Sequence, residues 1–486
     1  MRIGRVLYLI GKISLILGAS MVVPLITAVL YQEADRLAFA VTIPICLGAG
    51  LGLMAVCRPW RRQVMRQREC FLFVTGVWLY AGVVGALPYL FSGAIPDFAG
   101  AFFETISGFT TTGASVFPDV EVVPHGVLLW RSLTHWLGGA GIVLLFVALI
   151  QGNSNSSEGV NLYKAEYSGG ALSERLAVRI EDNAQIIFLV YIGLSVVCCL
   201  LLLLGGMSFF DAVNYTMATV STGGFSTKNA SLAAYTPFCQ WVVGVFLILS
   251  GVNFTLYFLL LVRRRVRQVL RDEETLAYLA AVVAATALIA GSLWQNRYYA
   301  LPGETVRHAF FQVASIISTG GFASGDFDQW PSLARGVLIL LLLTGGCSGS
   351  TASGVKFSRI VILTKSAVRE LRLMFQPQLV RRVEYNDKRL EDGVGAQMAY
   401  FVFLYFSLVA LGSLVLMVTG VQWVEALVAC LSAIGNVGPA LGSMGPVGNY
   451  SLCTPLAKYV LSFLMLAGRL EVFTLLVLFL PAIWRK

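Results

Sequence analysis

Along the whole chain, long apolar stretches alternate with short polar ones, and most stretches could cross a hydrocarbon core of ~30 Å as helices. The first, from Val6 to Leu30, is too long for a signal-peptide core and lacks a small-residue cleavage site, so it predicts a retained helix. Basic residues gather at Met1–Arg5, Arg58–Arg68, Lys164–Arg179, Arg263–Arg267 and Lys365–Arg389, and the chain ends Trp-Arg-Lys. Placing every one of these on the cytoplasmic side satisfies the positive-inside rule and leaves an even number of crossings between them. Two plain helices joined at Tyr31–Arg36 fill the first interval. Each of the other four holds a helix, a semi-polar segment and a second helix. The first helices lie at roughly 70–93, 184–206, 275–294 and 396–419, and the second at roughly 124–150, 237–262, 331–365 and 452–484. The prediction is an all-α integral membrane protein with both termini inside. It divides into two N-terminal helices (1–69) and four repeats (70–183, 184–272, 273–395 and 396–486).

The semi-polar segments carry the repeat. They read AFFETISGFTTTGAS, DAVNYTMATVSTGGF, HAFFQVASIISTGGF and ALVACLSAIGNVGPA when aligned on Gly113, Gly223, Gly320 and Gly438. About twelve moderately apolar residues make a helix of ~18 Å, too short to span, so each segment enters and leaves by the outer face. Irregular backbone at membrane depth is tolerated only where protein buries it or water lines it. Four such turns around one axis could replace a cation's hydration shell with backbone carbonyls. The candidate ligands are Thr111, Thr112 and Gly113; Ser221, Thr222 and Gly223; Ser318, Thr319 and Gly320; and Asn436, Val437 and Gly438. The hydroxyls of Thr112, Thr222 and Thr319 would add a lower layer. Helix C-termini aimed at the axis favour a cation, and Asp97, Asp211, Glu304 and Glu425 sit at the opposite ends as caps.

In the third repeat, Pro331–Lys365 would run ~52 Å as continuous helix. Its middle, Thr344–Gly354, is made of poor helix formers. This predicts a flexible interruption lying across the pore, built on Gly345, Gly346, Cys347, Ser348, Gly349, Ser350 and Gly354; a packing kink is the alternative. Arg469 lies in the last apolar run. There it either ties Glu471 or projects into the cavity as a positive barrier, because an unpaired intramembrane charge is costly. Lys356 and Arg359 could snorkel to the cytoplasmic surface.

Composition removes other classes. The chain is 57% hydrophobic and 13% charged, with mean hydropathy +0.76. The net charge of +9 is concentrated in the topology segments, which argues against nucleic acid. Nine scattered cysteines without CxxC read as small buried hydrophobes, and neither HExxH nor GxSxG is present. No dinucleotide fingerprint follows a strand, so any nucleotide dependence belongs to another chain, docked on 151–183 or 365–395.

The ordered set of TTTGAS, two STGGF copies, GNVGPA, GVNFTLYF, GGCSGSTASGVK and AGRLEVFTLLVLF resembles the Trk/Ktr/HKT superfamily of potassium transporters, most closely its bacterial TrkH/TrkG-type branch. The resemblance implies a pseudo-fourfold pore from one subunit and K⁺ uptake across the bacterial inner membrane. It further implies a homodimer in the lipid bilayer, a cytoplasmic TrkA-type nucleotide-binding partner, and no cofactor in this chain. It favours the barrier role for Arg469. In the family, serine at the first-repeat filter glycine goes with Na⁺ permeation, and Gly113 favours K⁺. Strict H⁺ or Na⁺ symport is the rival, with Glu104 and Glu471 as the candidate titrating groups.

Overall fold

The computed structural model describes residues 3–61, 63, 65–141, 184–376, 382–390 and 393–484. The basic segment Lys164–Arg179, the docking candidate 151–183 and the end of the first repeat's second helix lie outside them. Among the described residues the elements are helices joined by turns and loops, and the strands form one two-stranded antiparallel hairpin, which pairs Glu384 with Arg389 and Tyr385 with Lys388. Its turn residues, Asn386 and Asp387, both have positive φ, as a tight two-residue hairpin requires.

Five helical stretches are long and apolar enough to span: Ile3–Leu30, Arg36–Val56, Gln67–Phe91, Glu273–Gln295 and Val394–Val418. Large apolar side chains such as Leu51, Leu79, Val283, Phe403 and Leu411 point outward, as lipid-facing positions do. The N-terminal pair packs closely because Gly11 and Gly50 meet: a Cβ on Gly11 would lie 2.9 Å from the Gly50 carbonyl oxygen. Ser14 joins this pair to the first repeat, donating to the Cys46 carbonyl at 2.6 Å and sharing a hydrogen bond with Tyr80.

Each repeat contributes one short helix, at Phe98–Phe109, Phe209–Val220, Pro302–Ile317 and Trp423–Gly435. Their packing closes a circle. Beyond its own neighbours, each short helix touches the second helix of the preceding repeat, and that of the first repeat touches Pro455–Arg469 of the fourth. Acidic residues meet all four N-terminal ends. Asp97 accepts from the Gly100 N–H at 2.7 Å, while Asp211, Glu304 and Glu425 lie in first turns, where they complement the dipole.

The second helices depart from the expected plain spans. In the second repeat, Pro237–Ser250 and Phe254–Leu261 meet at 93°; in the fourth, Pro455–Arg469 and Phe473–Phe479 meet at 113°. The second-repeat bend turns on Asn253, whose side chain caps the new helix through the Thr255 N–H at 2.9 Å. At the fourth-repeat bend both Glu471 and Val472 have positive φ. In the third repeat, Ser332–Leu342 and Phe357–Phe375 are helical and the segment between them is not.

Candidate functional site

The four short helices end in one backbone motif. The N–H groups of Thr112, Gly223, Gly320 and Val437 each reach back five residues, to the carbonyls of Ser107, Ala218, Ser315 and Ser432. The residue before each, Thr111, Thr222, Thr319 or Asn436, has φ between 54° and 61°. This is a Schellman-type ending, whose left-handed position glycine normally fills. A side chain there costs about 1–2 kcal/mol, and β-branched threonine is an outlier for the region. Three repeats nevertheless carry threonine, and all three hydroxyls are in use. Thr111 accepts from Arg469 at 3.3 Å, Thr319 accepts from the Ser353 N–H at 3.1 Å, and Thr222 donates to the Ser221 carbonyl at 2.7 Å and meets Thr351 at 3.4 Å.

This geometry corrects the sequence register. The fourfold-related glycines are Gly113, Gly224, Gly321 and Gly438, all with positive φ. Gly223 and Gly320 instead occupy the position of Thr112 and Val437, one residue earlier than the alignment placed them. Likewise the equivalent of Thr222 and Thr319 is Thr111, not Thr112. Aligning on T-x-G, with Asn436 replacing threonine, would have found this.

The four glycines are required by contact as well as by φ. A Cβ on Gly113 would lie 2.1 Å from the Gly223 carbonyl oxygen, and one on Gly224 would lie 2.6 Å from that of Gly320. On Gly321 it would lie 2.2 Å from the Val437 oxygen, and on Gly438 it would lie 2.4 Å from the Thr112 oxygen. The last contact returns to the first repeat. The loops therefore form a closed ring, each glycine lying against the next loop's carbonyl. Asn436 ties the fourth loop to the first by donating to the Thr112 hydroxyl at 2.9 Å.

Beneath the ring, Thr344–Gly354 folds back on itself. The Gly345 N–H donates to the Val355 carbonyl at 2.9 Å, and a Cβ on Gly345 would lie 1.8 Å from the Ser353 carbonyl oxygen. Cys347 donates its N–H to the Gly251 carbonyl at 2.8 Å, and the Gly349 carbonyl accepts from the Phe254 N–H at 3.0 Å. The loop thus seats in the bend of the second repeat. The base of the loop is clamped by buried Glu274, which accepts from the Ser348 N–H at 2.6 Å and the Ser358 N–H at 2.9 Å. Its other oxygen accepts from the Tyr385 hydroxyl, on the hairpin, at 3.2 Å. Nothing in the sequence pairs Glu274 with the loop, since the partners are far apart along the chain.

Arg469 is partly accessible and bridges ring and loop. It donates to Thr111, to the Thr351 carbonyl at 2.9 Å, to Ser353 at 3.2 Å and to the Gly138 carbonyl at 2.6 Å. The alternative tie to Glu471 is not made. Glu471 pairs with Arg359, whose guanidinium also lies 3.9 Å from the Phe401 ring centre. The snorkelling expected of Lys356 and Arg359 is overturned: both are buried, and Lys356 donates to the Ala352 carbonyl. The other symport candidate, Glu104, is buried against Arg131 at 2.8 Å. Among the described residues no cluster of three or more His, Cys, Asp or Glu could hold a metal ion.

Four equivalent re-entrant loops from one chain, closed into a ring between membrane helices, define a multi-pass transport protein of pore-loop architecture. The family model for TrkH, described as a cation transport protein, matches residues 36–486, and the chain belongs to that family. It is a family of transporters, not of enzymes, and indicates no cofactor. The Trk system potassium uptake protein TrkH of Escherichia coli is 34% identical over 483 residues, covering 98% of each chain. The protein of that name from Halomonas elongata is 34% identical over 492 residues, with full coverage of both. The Trk system potassium uptake protein TrkG of Escherichia coli is 30% identical over 483 residues, covering 99% of this chain and 98% of its own. The crystal structure of the potassium transporter TrkH from Vibrio parahaemolyticus superposes with a TM-score of 0.88 at 29% identity, over the full length of both chains.

Proposed function

We propose that the chain is the K⁺-translocating membrane subunit of a Trk-type uptake system, and that its ring of loops is the selectivity filter. The observation that carries this reading is the circular contact between glycine and carbonyl at four equivalent positions. It sets four backbone oxygens, those of Thr112, Gly223, Gly320 and Val437, each against the glycine of the neighbouring loop, and such a ring can replace a cation's water shell. Gly113, Gly224, Gly321 and Gly438 keep the ring tight; Ser221 and Ser318, one residue before the strained threonines, end their helices.

Below the filter, Gly345–Ser350 and Gly354 form a gate, with Arg469 as its positive anchor. A guanidinium in a low-dielectric cavity repels a cation strongly, because the interaction scales inversely with the effective dielectric. Passive, channel-like permeation is favoured over strict symport because Glu104 and Glu471 each sit in an ion pair with an arginine. The resemblance supports four pore repeats with the boundaries given above, a homodimer in the bacterial inner membrane, cytoplasmic termini and a TrkA-type regulatory partner.

The test is ion selectivity in proteoliposomes of the purified chain. Gly113→Ser places a side chain against the Gly223 oxygen and should raise Na⁺ permeation relative to K⁺. Unchanged selectivity in a folded variant would refute the filter assignment.

A further inference from the structure

We propose that Arg131 and Glu104 are selectivity-determining positioning residues, a buried ion pair that sets the spacing of the first two loops of the ring. The proposal rests on reading that ring as the filter.

Glu104 lies in the middle of the first short helix with 0% exposure, and Arg131, on the following helix, has 2%. Neither charge could remain buried alone, so the pair acts as a unit. Its contacts are directed at the loops. Glu104 accepts from the Val116 N–H at 2.8 Å and from the Ser115 hydroxyl at 3.1 Å. Arg131 donates to the Ser115 hydroxyl at 3.1 Å and to the Ser226 carbonyl at 3.2 Å. Ser115 stands two residues past Gly113, and Ser226 stands two residues past Gly224. The guanidinium therefore grips equivalent positions of adjacent loops. Its two nitrogens fix their separation, and the Phe225 ring, 4.2 Å away, holds it in place.

One turn further along the same helix, His135 repeats the span. Its Nε2 accepts from the Phe225 N–H at 3.2 Å, which leaves Nδ1 to donate to the Gly108 carbonyl at 2.9 Å. At the seam between the fourth and first loops a neutral group does the corresponding work. Tyr450 donates its hydroxyl to the Gly438 carbonyl at 2.8 Å and its N–H to the Ser115 carbonyl at 2.8 Å. The first loop is thus fixed from both sides, with a rigid planar fork on one of them.

Arg131→Lys separates positioning from bulk stability. It keeps a positive charge beside Glu104 but offers one nitrogen where the guanidinium reached three acceptors. The readout is the rubidium-to-sodium flux ratio of full-length protein in proteoliposomes, taken with the thermal midpoint. Arg131→Lys and Glu104→Gln should each lower the ratio about fivefold, the factor corresponding to one lost hydrogen bond. Ser115→Ala, which removes only the shared hydroxyl, should lower it in the same direction and fold normally. If the ion-pair variants fail to accumulate, Ser115→Ala decides alone. A wild-type ratio in the folded variants, while Gly113→Ser shifts it, overturns the proposal and marks the pair as merely structural. An unchanged ratio in Gly113→Ser removes the filter assignment, and this proposal with it.

Discussion

Around the ring, four loops share one backbone geometry; beneath it, the second helices of the second, third and fourth repeats share almost none. The upper level repeats the same reach-back hydrogen bond, the same left-handed residue and the same glycine contact in every repeat. Below it, the second repeat bends by 93°, the fourth by 113°, and the third gives up its helix for the Thr344–Gly354 loop. The difference fits the roles proposed for the two levels. Ligands around one ion must stand at equal distances, which penalises any departure from symmetry. A gate needs one mover and something fixed to close against, and symmetry would only multiply the parts to be moved. The strained threonines lie at the junction, where the hydroxyls of Thr111, Thr222 and Thr319 meet Arg469, Thr351 and Ser353.

The largest expected effect separates two adjacent glycines on the symmetric side. A Cβ on Gly321 meets the Val437 backbone oxygen at 2.2 Å with φ at +67°, whereas one on Gly320 meets a Leu247 methyl at 2.4 Å. A leucine side chain can swing aside, and a backbone carbonyl in a closed ring cannot. Gly321→Ala should therefore abolish cation preference or prevent folding, while Gly320→Ala keeps both. Flux ratio and folded yield check this, and equal damage from the two would show that the register assigned here is wrong.

Next in size is a contrast between two arginines on the asymmetric side. Arg359→Ala breaks the buried ion pair with Glu471 and should lower stability by ~3–5 kcal/mol. Arg469→Ala removes the proposed barrier, whose acceptors are neutral groups, so flux per folded protein should rise with a much smaller change in thermal midpoint. The reverse pattern, with Arg469 setting stability and Arg359 setting flux, would exchange the roles given to them.

A smaller effect is expected at the base of the proposed gate. Glu274→Ala leaves the Ser348 and Ser358 N–H groups without their acceptor, at about 1–3 kcal/mol each if they stay buried. The loop should lose its seat, raising flux without altering the cation ratio. Tyr385→Phe removes one hydrogen bond to the same carboxylate and should act in the same direction by ~0.5–1.5 kcal/mol. Loss of flux in Glu274→Ala, with protein amount unchanged, would mean that the loop supports the pore and does not block it.

The repeat architecture was legible because its signals are local. Short apolar segments ending in Thr, Asn and Gly recur between spanning runs, and Thr344–Gly354 is too poor in helix formers to hide. The register was not legible from glycine alone, because STGGF offers two adjacent glycines and only the ring contact decides between them. The bends escaped detection because only short polar interruptions, Ser250–Asn253 and Arg469–Glu471, break long apolar runs there. Pairings such as Glu104 with Arg131, or Arg359 with Glu471, join separate helices and leave no spacing signature. The intramembrane position of Arg469 singled it out as a candidate, yet its four acceptors are backbone and hydroxyl groups of two other repeats, the first and the third.

The central claim is that the glycine–carbonyl ring selects K⁺ and lets it pass down its own gradient. Competition measures this most directly: rubidium uptake into proteoliposomes of the wild-type chain alone, with K⁺ or Na⁺ added outside and no proton gradient imposed. The account predicts uptake without a proton or sodium gradient, and inhibition by K⁺ at markedly lower concentration than by Na⁺. Equal inhibition by the two ions, or uptake only when a proton or sodium gradient is applied, would contradict it.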